Sequence, residues 1–567
     1  MRKPKVSVII PVYNVEEYIY DMLSSVRAQS FKDYEVILVN DGSTDGSGNI
    51  IDLFCREDSR FRAINKENGG VASARNRGID EAKGEYIVFY DPDDYIPSDA
   101  LEKMYRTASK EHADIVVGVM VEKSLGETMI YMNTQILARL KKINPFDEHF
   151  LGAWSLCHKM FSKKLIKDND IRFQNLLHAE DGVFCFSALN YAEKICGCNY
   201  VVYEYIKRPF WMSPSATQKI SGIYLDSLIL SYNTILDEAE KLALKYGIDK
   251  ETYLSKLYIR FIEVGFLNEY YRFIWRSDNS ILPCLTNMTS EYKRHIYKKQ
   301  WDNMVYKNRY LQFEKGYQTI EELKKHINIS VIISDELCQY DAEKVIGSLY
   351  YQYYLLFEII VPSNIYEKLN HELKCKANIY NIDYDINTAY KNAKGEYIIF
   401  VNEPVIYTKN TLKQMEAVMH KNETLDFVSI LLKTFDGDKF NDIPAISAAF
   451  GYTKGGKTKN TVITSADIFM SNKLLRKSSF KEFVFTGKGE LDSQALYRKF
   501  NFEKIRKGTM VTTLSEEDIL NRSNCHTSAL VIKFKYIKNR GISRAIEKAK
   551  RIITKEDIEN IKKKLGK

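Results

Sequence analysis

Tyr86-Ile-Val-Phe-Tyr-Asp-Pro-Asp-Asp94 is the stretch whose reading decides this chain: an apolar, aromatic run fit for a buried strand stops abruptly in three carboxylates. Carboxylates at a strand tip can hold a hard divalent cation, and that cation can hold a diphosphate. Upstream, Val6-Ser-Val-Ile-Ile10 and Val36-Ile-Leu-Val39 read as strands, and a further strand is expected near Arg62-Ala-Ile64. Between them lie helical patterns: Ile19, Leu23 and Val26 at helical spacing, a helix over about 48–57, and another from Ser73. Alternation of this kind predicts an α/β fold with a mostly parallel, Rossmann-like sheet and ligands at the carboxyl ends of the strands. Asp41 and Asp91 each follow a strand directly, so both are expected on that rim.

The opening strand occurs again as Tyr397-Ile-Ile-Phe-Val-Asn-Glu-Pro404, without its acids. An offset of 323 pairs Ser7-Val-Ile-Ile10 with Ser330 to Ile333, and 311 pairs Ala82-Lys-Gly-Glu-Tyr-Ile87 with Ala393 to Ile398. Colinear blocks of this kind predict a duplicated domain. By these offsets Asp41 corresponds to Asn364, Arg75 to Ile386, Asp91 to Asn402, Asp93 to Pro404 and, at about 310, Asp181 to Leu491. The second copy is therefore expected to keep the sheet and lose the chemistry. The domains expected are 1–217, a helical connector over 218–327, the degenerate repeat over 328–515, and basic amphipathic helices over 516–567.

At 567 residues, with 45% hydrophobic and 28% charged residues, the chain has the composition of a soluble globular protein of several domains. No run approaches the length of a membrane-spanning helix, and Met1-Arg-Lys-Pro-Lys5 leads into a strand with no signal-peptide core. Nine scattered cysteines form neither a metal pattern nor a disulfide framework, so a reducing cytoplasm is expected. The net charge is +8, while residues 531–567 alone carry thirteen Lys/Arg against four Asp/Glu, or +9. That tail either rests on an anionic membrane surface, making the protein peripheral on the inner face of the plasma membrane, or packs its isoleucine stripe on the body. No nucleic-acid motif accompanies the basic residues, so a nucleic-acid partner is not expected. The degenerate repeat and the connector are surfaces on which a homo-oligomer is conceivable.

Several motifs carry chemistry. Pro11-Val-Tyr-Asn14 can wrap a planar ring: Tyr13 offers a face and Pro11 fixes the backbone. Asp41-Gly-Ser-Thr-Asp45 supplies a carboxylate that can accept from a base or ribose, or can simply form an Asx turn. Asn68-Gly-Gly-Val-Ala-Ser-Ala-Arg75 is a Gly-rich turn entering a helix, with Asn68 and Gly69 near a helix N-terminus and Arg75 able to meet phosphate. Asp91 and Asp93 suit ribose, diphosphate and Mg²⁺ or Mn²⁺. Glu180-Asp-Gly182 supplies a carboxylate able to deprotonate an incoming hydroxyl, or a helix cap. Lys207 and Arg208 follow an expected strand in Tyr203-Glu-Tyr-Ile-Lys-Arg-Pro209, where they can contact a diphosphate or solvate a loop. Residues 150–160, including Trp154 and His158, are expected on the acceptor side, with Glu180 beside them.

In order, VSVIIPVYN (6–14), NDGSTDGS (40–47), NGGVASARNRG (68–78), GEYIVFYDPDD (84–94) and EDG (180–182) resemble an inverting family 2 glycosyltransferase of the GT-A fold. The likeness covers roughly residues 1–215 and is similar to bacterial enzymes that glycosylate wall teichoic acid, capsule or related polymers. It implies a UDP-sugar donor and a glycan, teichoic acid or lipid-linked acceptor. Asp41 would contact uracil, Arg75 phosphate, Asp91 and Asp93 ribose, diphosphate and metal, and Asp181 would be the base. The competing reading is a non-catalytic scaffold that only binds glycans or nucleotide sugars. A nucleotidyltransferase would favour a basic Gly-rich loop after the first strand, which Pro11-Val-Tyr-Asn14 is not.

Overall fold

In the computed structural model, eight strands in the first half of the chain join one sheet in the order β3-β2-β1-β4-β7-β5-β6, with β8 beside β5. These are β1 (Val6–Val12), β2 (Tyr34–Asn40), β3 (Phe61–Asn65), β4 (Tyr86–Phe89), β5 (Ile115–Ser124), β6 (Glu127–Ile130), β7 (Lys159–Ser162) and β8 (Ile195–Ile206). The structure describes residues 3–124, 127–207, 222–267, 270, 275, 282–302, 320–335, 337, 339–350, 354–382, 386–401, 404–407, 411–435, 440–442, 448–449, 462–463, 473–480 and 502–512. Arg208, Asn402, Leu491 and the basic tail lie outside the described residues. The chain divides into two units, one of 1–274 with 278–318 and one of 275–277 with 319–567.

In the first unit the expected parallel α/β sheet is present: β2, β1 and β4 run parallel, with Ile9 opposite both Ile37 and Phe89. Their Val and Ile side chains are completely buried, as near-continuous apolar runs demand. Strand β7 then enters antiparallel to both β4 and β5. Helix α1 (Glu16–Arg27) buries Ile19, Leu23 and Val26, α2 is Ser47–Glu57, and α3 is Gly70–Glu81. Helix α3 starts three residues before the expected Ser73, because a distant carboxylate caps it. It also lies close on the sheet: a Cβ on Gly78 would stand 2.4 Å from Ile9 Cγ2.

Helices α4 (Ala100–Glu111), α5 (Met132–Ala138), α6 (Lys163–Asp168) and α7 (Glu180–Tyr191) follow, and then α8 (Gly222–Lys245) and α9 (Lys250–Arg260). Much of the expected connector therefore belongs to the first unit. Asn190 on α7 donates to Glu238 O (3.0 Å) and Oε2 (2.8 Å) on α8, and Ser231 Oγ donates to His178 O (2.5 Å). Among the described residues no helix is long and apolar enough to cross a membrane.

The second unit repeats the topology. Strands β9 (Ile329–Ile333), β10 (Phe357–Pro362), β11 (Ile379–Ile382) and β12 (Tyr397–Val401) are joined by β13 (Val405–Tyr407), β14 (Phe427–Phe435) and β15 (Phe440–Asp442). A ribbon of β16 (Ala448–Ala449) and β17 (Val462–Ile463) precedes β18 (Lys473–Arg476) and β19 (Phe502–Thr512). The order β11-β10-β9-β12-β18-β14 matches β3-β2-β1-β4-β7-β5, including the antiparallel insertion of β18.

A buried polar knot recurs as well. Ser7 Oγ donates to Glu35 Oε1 (2.7 Å), which also accepts from Lys83 N (2.7 Å), while Gly84 N donates to Ser7 Oγ (2.8 Å). In the second unit Ser330 Oγ donates to Glu358 Oε1 (2.6 Å), Lys394 N donates to the same oxygen (2.6 Å), and Gly395 N donates to Ser330 Oγ (2.8 Å). Both knots close the turn that feeds β4 or β12.

Candidate functional site

The carboxyl ends of β1, β2, β3 and β4 carry the motifs. Pro11 is buried inside β1 opposite Val39, beyond the last β4 pair at Ile9–Phe89, so its missing N–H leaves no ladder bond unmade. It is the last residue but one of the strand, next to the rim. Tyr13 is half exposed, and Asn14 turns the chain with φ +51°. Its Oδ1 accepts from Thr44 N (2.8 Å), tying the first loop to the Asp41–Ser47 turn.

Asp41 does not form the Asx turn that was the alternative to a base or ribose contact. It is 2% exposed, and its carboxylate accepts from Gly69 N (3.0 Å), Gly70 N (2.8 Å) and Lys66 Nζ (2.5 Å). Those amides open α3, so Asp41 caps a remote helix N-terminus, where backbone N–H groups lack partners and negative charge is favoured. With its oxygens occupied this way, it orders the Gly-rich turn on which Asn68 and Gly69 stand exposed. Lys66 is a site residue the sequence reading passed over; a lone cation after β3, just before Asn68-Gly-Gly70, was the available signal.

After β4 the three acids separate in role. Asp94 is buried: its Oδ1 accepts from Ile206 N (2.7 Å) and its Oδ2 from the Tyr203 hydroxyl, which ties the strand tip to β8. Burial, then Asp93 and Asp91, push its carboxyl well above the usual range. Asp91 accepts from Arg75 Nη2 (2.8 Å) and from the Cys157 thiol (3.4 Å). Asp93 is half-buried between them in sequence.

Arg75, on α3, is 5% exposed and bridges two motifs: Nη2 donates to Asp91, and Nη1 donates to Glu180 Oε1 (2.6 Å). Asp-Pro-Asp-Asp94 and Glu-Asp-Gly182, 105 − 16 = 89 residues apart at Asp91 and Glu180, thus meet on one guanidinium. Glu180 and Asp181 open α7, preceded by Ala179 at φ +58°. Burial raises the Glu180 carboxyl to about 7, against the pull of Arg75 and with a further push from Asp181. Burial also raises Asp181, whose Oδ1 accepts from Gly182 N (2.8 Å). Phe184 on α7 stacks on Phe173 at 4.2 Å, and Phe89 meets both edge-on.

Trp154 is half-buried, its indole edge-on to Tyr232 and Phe261, and a Cβ on Gly182 would stand 3.3 Å from its Cε3. It therefore borders the residue after Asp181. His158 does not line an open face: it is fully buried, with Nε2 3.1 Å from Lys159 Nζ, and burial followed by that cation lowers its pKa well below the usual value. As the residue before β7 it faces the interior, which alternation along a short strand made a matter of one position. Lys159, also buried, donates to Ala153 O and Ser155 O (both 2.5 Å) and so holds the backbone on either side of Trp154.

Among the described residues no group of three or more His, Cys, Asp or Glu is placed to hold a metal ion. A diphosphate-bound Mg²⁺ or Mn²⁺ takes only one or two carboxylates from the protein. Asp91 and Asp93 provide such hard oxygens, and the repulsion that they add to the effect of burial at Asp94 is what a cation would relieve. The residues fit that ion.

The Glycosyl transferase family 2 description matches residues 7–172. Glycosyltransferase GlyG of Streptococcus pneumoniae is 33% identical over 213 residues, which cover 36% of this chain and 71% of that protein. The poly(ribitol-phosphate) beta-glucosyltransferase of Bacillus spizizenii is 34% identical over 214 residues, 36% of this chain and 32% of its own. The crystal structure of S. aureus TarS 1-349 in complex with UDP-GlcNAc matches with a TM-score of 0.45 at 23% identity, over 57% of this chain and 91% of that one. Of the first curated relatives it matches, the chain spans 62%, 61% and 38% of the length. With these motifs on one sheet edge and these relatives, the chain belongs to glycosyl transferase family 2.

Proposed function

We propose that the first unit transfers a sugar from a UDP-sugar to a hydroxyl of a bacterial cell-surface glycan, teichoic acid or lipid-linked acceptor, with inversion at the anomeric carbon. The observation that carries this is the meeting of Asp91 and Glu180 on Arg75, which brings the carboxylates after β4 next to those opening α7. An in-line displacement needs a leaving diphosphate on one side and a base on the other. The acceptor class is supported by the relative named for glucosylating poly(ribitol phosphate).

Asp181 takes the acceptor's proton as its oxygen attacks from the face opposite UDP. Burial raises its pKa, which makes it a stronger base than a surface carboxylate. Tyr13 is offered to the base, and Asn68 and Gly69 stand on the turn that Asp41 orders. Asp93 with Asp91 would hold Mg²⁺ or Mn²⁺, which when bound offsets charge developing on the leaving diphosphate. Trp154 borders the acceptor side.

Asp181→Asn in the full chain is expected to abolish transfer, by more than about 100-fold, while UDP-sugar binding persists. Wild-type turnover in that variant, measured directly as glycosylated product, would end the assignment. The same variant tests the second unit: by the loss of its acids it contributes no transfer of its own, so no residual product is expected.

A further inference from the structure

We propose that Arg75 is a positioning residue that locks the carboxylate arm after β4 to the acidic start of α7, and is not a ligand of the donor diphosphate. The proposal rests on the donor and base reading above. Its grounds are geometric. Arg75 is 5% exposed, and its two terminal nitrogens go to different carboxylates, Asp91 Oδ1 at 2.8 Å and Glu180 Oε1 at 2.6 Å. The ring of Phe173 lies over the guanidinium at 5.3 Å, and the buried Nε finds no hydrogen-bond partner among the described residues. To meet a phosphate, this side chain would break two charge-assisted bonds and leave Glu180 without its cation in a buried setting, which is the costly way to open an ion pair.

The bridge explains the choice of arginine. A planar fork can hold two carboxylates at a fixed separation, whereas an ammonium acts as a point charge. Asp91 belongs to the donor arm, and Glu180 is the immediate neighbour of Asp181. Fixing one to the other fixes how far the base stands from the leaving group. Displacement by about 1 Å in such a geometry costs on the order of 100-fold in rate. Asp91 is further held by the Cys157 thiol at 3.4 Å, and Glu180 sits on a helix whose entry is pinned through His178 O by Ser231 (2.5 Å), so both ends of the bridge are anchored.

The test uses full-length Arg75→Lys and Arg75→Met, Glu180→Gln, and the Arg75→Met/Glu180→Gln double variant. UDP affinity is measured by calorimetry with Mg²⁺ or Mn²⁺, and turnover by transfer at saturating donor. The expected result is a UDP Kd within about threefold of wild type, a donor KM unchanged, and kcat down about 100-fold in both Arg75 variants. The double variant should be no worse than the weaker single. A UDP Kd more than about 30-fold weaker, with kcat preserved at saturating donor, would make Arg75 a phosphate ligand and overturn the proposal. Should wild-type protein neither bind UDP nor release it from any UDP-sugar, the donor reading fails by itself. The bridge is then read from urea unfolding of the same four variants, where additive midpoint shifts for Arg75→Met and Glu180→Gln would refute it.

Discussion

Glu35→Ala tests the buried knot that both units share. In the native chain one oxygen of Glu35 accepts from Ser7 Oγ and Lys83 N, both at 2.7 Å, and the other faces Arg62 Nε at 3.4 Å. Ser7 is fully buried, so truncating Glu35 leaves its hydroxyl and the Lys83 amide without their acceptor. Each buried donor left unsatisfied costs about 1–3 kcal/mol, so the loss expected is about 3–5 kcal/mol, a large share of a typical domain's stability. Glu35→Gln keeps one acceptor oxygen for Ser7 and Lys83 and loses only charge assistance, an expected cost of about 1 kcal/mol. Urea unfolding followed by far-UV circular dichroism, with UDP release as a probe of the first unit, reads both. Glu358→Ala should repeat the loss in the second unit, where Ser330 and Lys394 would be orphaned in the same way, and should leave the release probe's midpoint unmoved. A loss under about 1 kcal/mol for Glu35→Ala, or equal losses for Ala and Gln, would refute the reasoning.

Gly84→Ala should destabilise by about 1–3 kcal/mol, since its Cβ would sit 2.6 Å from Ser7 N and 2.7 Å from Val6 C, both backbone; an unchanged unfolding midpoint would contradict this. Because the Glu180 carboxyl is raised to about 7 from its usual 4.5, the folded chain holds that proton more tightly than the unfolded one. Its contribution to stability is therefore complete below about pH 4.5 and lost as pH rises through about 7, with a slope of at most ~1.4 kcal/mol per pH unit. Glu180→Gln should flatten that part of the stability–pH curve, and an identical slope in the variant would exclude the assignment. Asp94→Asn should lower stability through its bonds to Tyr203 and Ile206 yet spare metal-dependent UDP binding, whereas Asp93→Asn should do the reverse; calorimetric titration separates them.

Much was legible in one dimension because it is local. Near-continuous apolar runs between helical patterns read as buried parallel strands, so the parallel part of the sheet and the strand-tip acids follow from residue order. The repeat was legible too, down to Ser330, Glu358 and Gly395, whose counterparts the same offsets name. Which acid does what was not. Asp91, Asp93 and Asp94 look interchangeable in sequence, and only the arrival of β8, more than a hundred residues later, takes Asp94 for Tyr203 and Ile206. Asp41 was readable as a carboxylate after a strand; that it caps α3 depends on β2 and β3 lying side by side. His158 was a histidine at a plausible distance from Trp154, and the pleat turned it inward.

The sequence by itself determined the sheet, its duplication and the inventory of carboxylates, because strand burial and strand-end chemistry are written in neighbouring residues. The tertiary structure decided the pairing: a buried guanidinium is satisfied only by charges brought to it, and Arg75 received one from β4's tip and one from α7's start. That pairing depends on contacts between segments far apart in the chain, which residue order alone does not encode.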